Sequence, residues 1–179
     1  MKNVLSVFFA LIILQGCKKS INELPEATQT GANTFGLKLD GQYWVPQQFG
    51  ITTTGTILEA RITGLGDFVL NARNFASEPK ESEFNILIRN MNATGTYQLN
   101  ANTDIYPNQS GSYAYYVKRK INPLNEWITS SKYTGTVTIT NRDTINHIVS
   151  GTFEFTAGSI DSSAAPITVP EGRFDVKTQ

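Results

Sequence analysis

With one cysteine and one histidine in 179 residues, the chain has little scope for metal or thiol chemistry. A lone Cys17 cannot form an intrachain disulfide. Zinc sites are built from nitrogen and sulfur ligands, which are scarce here, so no metal and no cofactor is expected. Charge is balanced, with 15 Lys and Arg against 15 Asp and Glu. Beyond Lys18-Lys19 the one basic cluster is Lys118-Arg119-Lys120, which argues against nucleic acid as a partner. Long apolar runs are also missing. The longest, Val4 to Leu14, covers 11 residues, whereas a membrane-crossing helix needs about 20. No stretch sustains a 3.6-residue apolar repeat, so a helical domain is not expected either.

The short apolar run does have a reading of its own. One positive charge, an apolar stretch and a small residue before a cleavage point make the secretory pattern. Here the stretch ends in Leu14-Gln15-Gly16-Cys17. An aliphatic residue three positions before the cysteine and glycine just before it are the marks of a lipobox. Residues 1–16 are therefore read as a lipoprotein signal peptide, and Cys17 as the acylated N-terminus that follows its removal. Acylation, with palmitate as a typical chain, would also account for an odd thiol in an exported protein. Each buried methylene contributes about 0.8 kcal/mol, so several chains make the attachment permanent. Lys18 and Lys19 would add roughly 1 kcal/mol each of attraction to anionic headgroups. No aspartate follows the cysteine, which favours the outer membrane, in either its periplasmic or its surface-facing leaflet. Loss of Lys2 leaves 14 basic against 15 acidic groups, a net charge of −1.

Residues 17–33 are polar and short of aromatics, and they contain Pro25. They are read as a flexible linker of about 55 Å maximum reach. Residues 34–179 form one domain in which apolar residues alternate with polar ones. Phe35, Leu37 and Leu39 open the series, and Asp40-Gly41 supplies a hairpin turn. Leu58, Ala60 and Ile62 follow, then Phe68, Leu70 and Ala72 after the Gly64–Asp67 turn. Phe84, Ile86 and Ile88, then Val137 and Ile139, Phe153 and Phe155, and finally Phe174 and Val176 repeat the period of two. Alternation of this kind buries one face of each strand and wets the other, the antiparallel habit. The expected fold is all-β, an antiparallel sandwich of nine or ten strands. A lipocalin-like closed or partly open barrel is the alternative.

Several segments together resemble a group of small Bacteroidota-type lipoproteins of unknown function. They are the lipobox, the linker Leu24–Phe35, the strand Gly41-Gln42-Tyr43-Trp44-Val45-Pro46, the late Ser150–Ala157, and the ending Ile167–Lys177. The resemblance implies an envelope location and an all-β domain. It implies no activity, and it transfers no catalytic or binding residue.

The residues themselves offer only scattered chemistry. His147 lies in the polar stretch Asn141–His147, with no strained nucleophile turn to pair with it. Asn100, Asn102 and Asp104 alternate like calcium-loop ligands, but Ile105 and Gly111 stand where such a loop needs Gly and Glu. Glu59, Glu83, Glu126 and Glu154 are the carboxylates that could form a hydrolytic pair, and no spacing pairs them. Aromatic residues are the stronger signal. Tyr113, Tyr115 and Val117 share one strand face, Tyr116 and Lys118 the other, and Trp127 falls in a loop-like stretch. Rings that join apolar area to a polar handle suit a sugar or peptide groove, so Tyr113, Tyr116 and Trp127 are the candidate ligand surface. Asp143-Thr144-Ile145 makes Thr144 a candidate O-glycosylation acceptor. The expected function is non-enzymatic: an envelope lipoprotein held to membrane lipid through Cys17, with a β-domain that binds a partner or plays a structural role. Glycan binding, with a glycan or envelope protein as partner, is the first alternative. A carboxylate-type hydrolase is the second.

Overall fold

The computed structural model describes residues 21–48, 55–76, 81–102, 106, 110–119 and 125–179. Cys17 and the signal segment lie outside these residues, as does Asp104. Among the described residues the chain forms eleven strands and no helix. They are β1 (Thr34–Leu39), β2 (Gln42–Trp44), β3 (Leu58–Ile62), β4 (Phe68–Asn74), β5 (Glu81–Ile88) and β6 (Gly95–Gln98). Then come β7 (Tyr113–Arg119), β8 (Asn125–Ile128), β9 (Gly135–Asp143), β10 (Ile148–Ser159) and β11 (Ile167–Lys177). Every strand pair is antiparallel, as the one-sided alternation implies.

The strands hydrogen-bond in the order β2-β1-β11-β10-β8-β7-β5-β4-β3, with β9 and β6 branching from β10. Long β10 makes the branch possible. Its first part, through Phe155, pairs with β9, while Gly158 and Ser159 pair with β8. The register on β11 slips between Phe153 and Phe155, a bulge that bends the strand there. The sheet curls over on itself into a half-barrel, between the expected sandwich and its open-barrel alternative. Its outer strands meet without forming a ladder. The Gln179 amide donates to Ala60 O at 3.0 Å, and Gln47 makes an isolated parallel bridge to Asn74.

Inside the curl, the alternating residues meet in one cluster built on Phe35, Phe68, Phe84, Phe153, Phe155 and Phe174. Phe153 stacks on Phe35 at 5.4 Å and on Phe174 at 6.3 Å, and Phe174 on Phe68 at 5.6 Å. The outer face of β4, β5, β7 and β8 departs from one-sided alternation. Val69, Leu87, Tyr113, Tyr115, Val117 and Ile128 are buried there as a second cluster. Tyr106 stacks on Tyr115 with centroids 3.6 Å apart, and Ile160 packs on the same face. This part of the sheet is therefore covered on both sides.

The linker expectation needs a correction within its described part. Residues 28–33 are bonded into the domain rather than free of it. The Asp175 carboxylate accepts from Thr28 Oγ1 at 2.6 Å and from the amides of Thr30, Gly31 and Ala32 at 3.0, 2.9 and 3.1 Å. Ser150 Oγ adds a fifth bond at 2.8 Å. Asn33 Oδ1 accepts from the Lys177 amide at 2.9 Å. Upstream, Pro25 packs against Gly36, where a Cβ would lie 2.4 Å from Pro25 Cδ.

Candidate functional site

The unclosed seam leaves a cavity of about 690 Å³. One wall comes from Thr34 and Phe35 of β1 with Val45, Pro46 and Gln48 beyond β2. The other comes from Ile57, Leu58, Glu59 and Ala60 at β3, and the tail Lys177–Gln179 completes it. Its volume lies in the range of small-molecule sites, about 300–1,000 Å³, and its walls are apolar in the larger part, with Asn33, Gln48, Glu59 and Lys177 among the polar lining. One of those side chains stands out. Gln48 Nε2 donates to Gly55 O at 2.7 Å, while Gln48 Oε1 is buried with no hydrogen-bond partner. A buried carbonyl oxygen left without a donor costs about 1–3 kcal/mol.

A second cavity of about 650 Å³ adjoins the first, since Pro25 and Val45 line both. Its remaining walls include Ile21, Leu24 and Gln47. The segment that builds it is positioned by the Asp175 bonds just downstream. Burial pushes the Asp175 carboxyl up, but the bonds from Thr28, Ala32, Ser150 and Gly31 outweigh that and bring it down to about 2.

A third, smaller cavity of about 340 Å³ lies where β2 faces β5 and β7. Trp44, Tyr43, Ser82, Tyr116 and Lys118 line it. Trp44 Nε1 donates to Ser82 Oγ at 2.9 Å. Burial raises the Tyr116 phenol above its ordinary value, against the lowering effect of Ser82, so it stays protonated. Lys118 Nζ stands 6.0 Å from the Tyr116 ring centroid and 5.7 Å from that of Trp127.

The three aromatic residues singled out in the sequence do not form one exposed surface. Tyr113, Tyr116 and Trp127 are 4%, 2% and 4% exposed. Tyr116 and Trp127 point into the main core, their rings 5.5 Å apart, and Trp127 Nε1 donates to Ala165 O at 2.8 Å. Tyr113 points the other way, into the second cluster with Tyr106 against its edge. Trp127 also belongs to β8 rather than to a loop. The groove expectation gave these rings to solvent, whereas the double covering of the sheet takes them from it. Tyr116 also lines the third cavity.

The remaining sequence candidates are dispersed. Thr144 and His147 are exposed in the turn between β9 and β10, His147 with a left-handed φ of 57°. Asp143 Oδ1 caps that turn by accepting from the Ile145 and Asn146 amides, each at 2.9 Å. Glu83 pairs with Arg73 at 3.4 Å, and Glu126 accepts from the Tyr115 hydroxyl. The backbone positions of these two residues flank Val117, two strand spacings or about 10 Å apart. Glu59 pairs with Arg61 at 3.5 Å, and Glu154 is exposed on β10. Asn100 and Asn102 are exposed. Among the described residues, no three or more His, Cys, Asp or Glu lie together as a metal site.

Residues 34–175 match the family described as "Domain of unknown function (DUF6252)", and the chain belongs to that family. No curated protein and no solved structure matches the chain.

Proposed function

We propose that this member of the DUF6252 family is a non-enzymatic, lipid-anchored envelope protein whose β-domain binds a largely apolar ligand in the seam cavity. The cavity supports this reading: it is of ligand size, and the larger part of its wall is apolar. The anchoring half is supported by Leu14-Gln15-Gly16-Cys17, a lipobox pattern in which Cys17 would carry the acyl chains. Support for a non-enzymatic role comes from the carboxylates, since Glu83 and Glu126 are engaged by Arg73 and Tyr115 rather than poised for proton transfer.

The test uses an environment-sensitive anionic naphthalene dye. It should brighten on the domain, and Val45→Trp, which fills the junction of the two cavities, should weaken it at least ten-fold without lowering the melting temperature. Equal dye binding by both proteins would refute the cavity reading. Cys17→Ala should move the chain from the membrane fraction to the soluble one and remove the acyl mass; retention in the membrane would refute the anchor.

Glycan binding is a second reading, supported at one place. Tyr43 and Trp44 are half-buried at the smaller cavity, beside Lys118 and Asp40. A glycan array that reports no binding, or binding unchanged by Trp44→Ala, would remove it. The exposure of Thr144 supports its reading as a glycosylation acceptor, and intact mass before and after Thr144→Ala decides it.

A further inference from the structure

We infer that the smaller cavity, at the end of the half-barrel where the β1–β2 turn lies, holds one uronic-acid unit: a pyranose ring bearing a carboxylate. The inference rests on the glycan reading above and gives that glycan a chemical class. Register sets which side chains meet there. Ser82 stands opposite Lys118 across β5 and β7, while Trp44 and Gln42 stand opposite Leu37 and Leu39 across β1 and β2. Cross-strand partners share a face, and Leu37 and Leu39 are core residues. Gln42 and Trp44 therefore project from the inner face, as Ser82 and Lys118 do beside core Phe84 and Tyr116. Tyr43 belongs to the outer face, with Lys38 Nζ 5.7 Å from its ring.

Three features of this pocket set the class. The first is a ring surface. Half-buried Trp44 meets Phe35 and Phe84 at interplanar angles of 86° and 75°, so neither phenyl ring lies flat on the indole. Indole area without a stacked partner suits the C–H side of a pyranose. The second is a charge. Half-buried Lys118 holds its ammonium 6.0 and 5.7 Å from the Tyr116 and Trp127 centroids, and among the described residues no carboxylate pairs with it. An ammonium in that state is open to a charge-assisted bond from a ligand carboxylate. The third is a set of hydroxyl partners: buried Ser82, with Gln42 and Asp40 nearer solvent. Together they accept from and donate to ring hydroxyls. Asp40 is exposed in its turn, where water and salt screen its charge. It opposes a second negative charge, which favours a monoanionic carboxylate over a phosphate dianion. At about 340 Å³ the cavity lies near the lower end of ligand sites, room for one sugar unit rather than several.

The experiment follows the indole N–H signals of the full chain bearing Cys17→Ala by NMR. The chain has two tryptophans, and Trp44→Phe identifies the signal of Trp44. Glucuronate should shift that signal saturably. It should bind about ten-fold tighter than its methyl ester, which keeps the ring and the hydroxyls but loses the charge. Lys118→Met should erase the difference, Lys118→Arg should keep it, and added salt should narrow it. Cyclohexanecarboxylate, which keeps the charge without the hydroxyls, should bind more weakly than glucuronate. Equal binding of glucuronate and its ester overturns the acidic class and leaves the glycan reading standing. Cyclohexanecarboxylate binding as tightly as glucuronate, or no shift with either sugar, overturns both. A preference for glucuronate that survives Lys118→Met places the charge recognition elsewhere and overturns the inference. Should Lys118→Met lower the melting temperature by removing the ring contacts, the ester comparison in the chain with Lys118 intact and its salt dependence carry the test.

Discussion

Asp175 is a buried carboxylate at 1% exposure that pairs with no cation among the described residues. Five donors from two segments replace water around it, and a carboxylate can accept all five because both its oxygens are acceptors only. Asparagine has nearly the same shape but puts an amide nitrogen where one of those oxygens stood. On either side that nitrogen would face backbone N–H groups. Asp175→Asn should therefore cost about 2–4 kcal/mol in urea unfolding, despite its similar size. The sign of the pH dependence follows from the same bonds. The folded value of about 2 lies below the ordinary 3.8, so the contribution is complete above about pH 4 and is lost as pH falls toward 2. Two units correspond to about 2.5 kcal/mol. Exposed Asp161, held near 2 by bonds from Ser163 and Ser159, titrates in the same window. The informative quantity is thus the difference between wild type and Asp175→Asn, which should shrink on acidification; a difference constant with pH would contradict the assignment. Gly172 gives a steric counterpart. A Cβ there would sit 2.2 Å from the Phe153 ring, which is held between Phe35 and Phe174. Gly172→Ala should destabilise by about 1–3 kcal/mol, and Phe153→Leu in the same chain should restore part of the melting temperature. Full additivity of the two changes would show that they do not touch.

At the scale of strands, the period of two was sufficient to locate most of the sheet. Phe35–Leu39, Leu58–Ile62, Phe68–Asn74 and the rest carry their faces in their own alternation, because each has one side against the core. β8 was the strand missed. Asn125-Glu126-Trp127-Ile128 is four residues long, follows Pro123, and buries both Trp127 and Ile128 on opposite faces. Alternation is invisible where both sides are covered, and no local signal told that Tyr106 and Ile160 would cover the second. For the same reason Tyr113, Tyr116 and Trp127 read as surface rings. The seam cavity was beyond sequence reading altogether, since it arises where residues from β1, β3 and the tail are brought together by the curl. Gln48 carries no pattern that marks its oxygen as unpartnered. β8 also makes a distinctive joint: four residue pairs hold it to β7 and only two to β10. Trp127 reinforces the weaker side by reaching Ala165 O in the β10–β11 connection. Trp127→Ala should cost about 3–5 kcal/mol. Hydrogen exchange should rise most along β8 and at Gly158–Ser159, with β4 and β5 least affected. Uniform acceleration across the sheet would mean that β8 is no separate joint.

For the whole molecule, the clasp on Asp175 changes how the domain would stand on a membrane. A free linker through Asn33 would place sixteen residues between Cys17 and the fold, a reach of about 55 Å. With residues 28–33 bonded to β11, and Pro25 seated on Gly36, most of that length is spent against the domain. Ile21 lines the second cavity, and the four residues from there to the proposed lipid on Cys17 span at most about 14 Å. On an anchored chain such a short tether would restrict orientation as well as height. Loss of the clasp should release both. In a chain whose own cysteine is acylated, Ile145→Cys supplies one exposed thiol, at a residue 87% exposed, for a donor dye. Energy transfer from that dye to acceptors on vesicle headgroups should be a narrow, single value for the intact clasp. It should broaden and fall in mean efficiency with Asp175→Asn, and fall less with Thr28→Ala, which removes one of the five bonds. Identical transfer in all three proteins would show that the clasp stabilises the fold without setting its distance from the membrane. The tether would then have to be held by contacts upstream of Pro25.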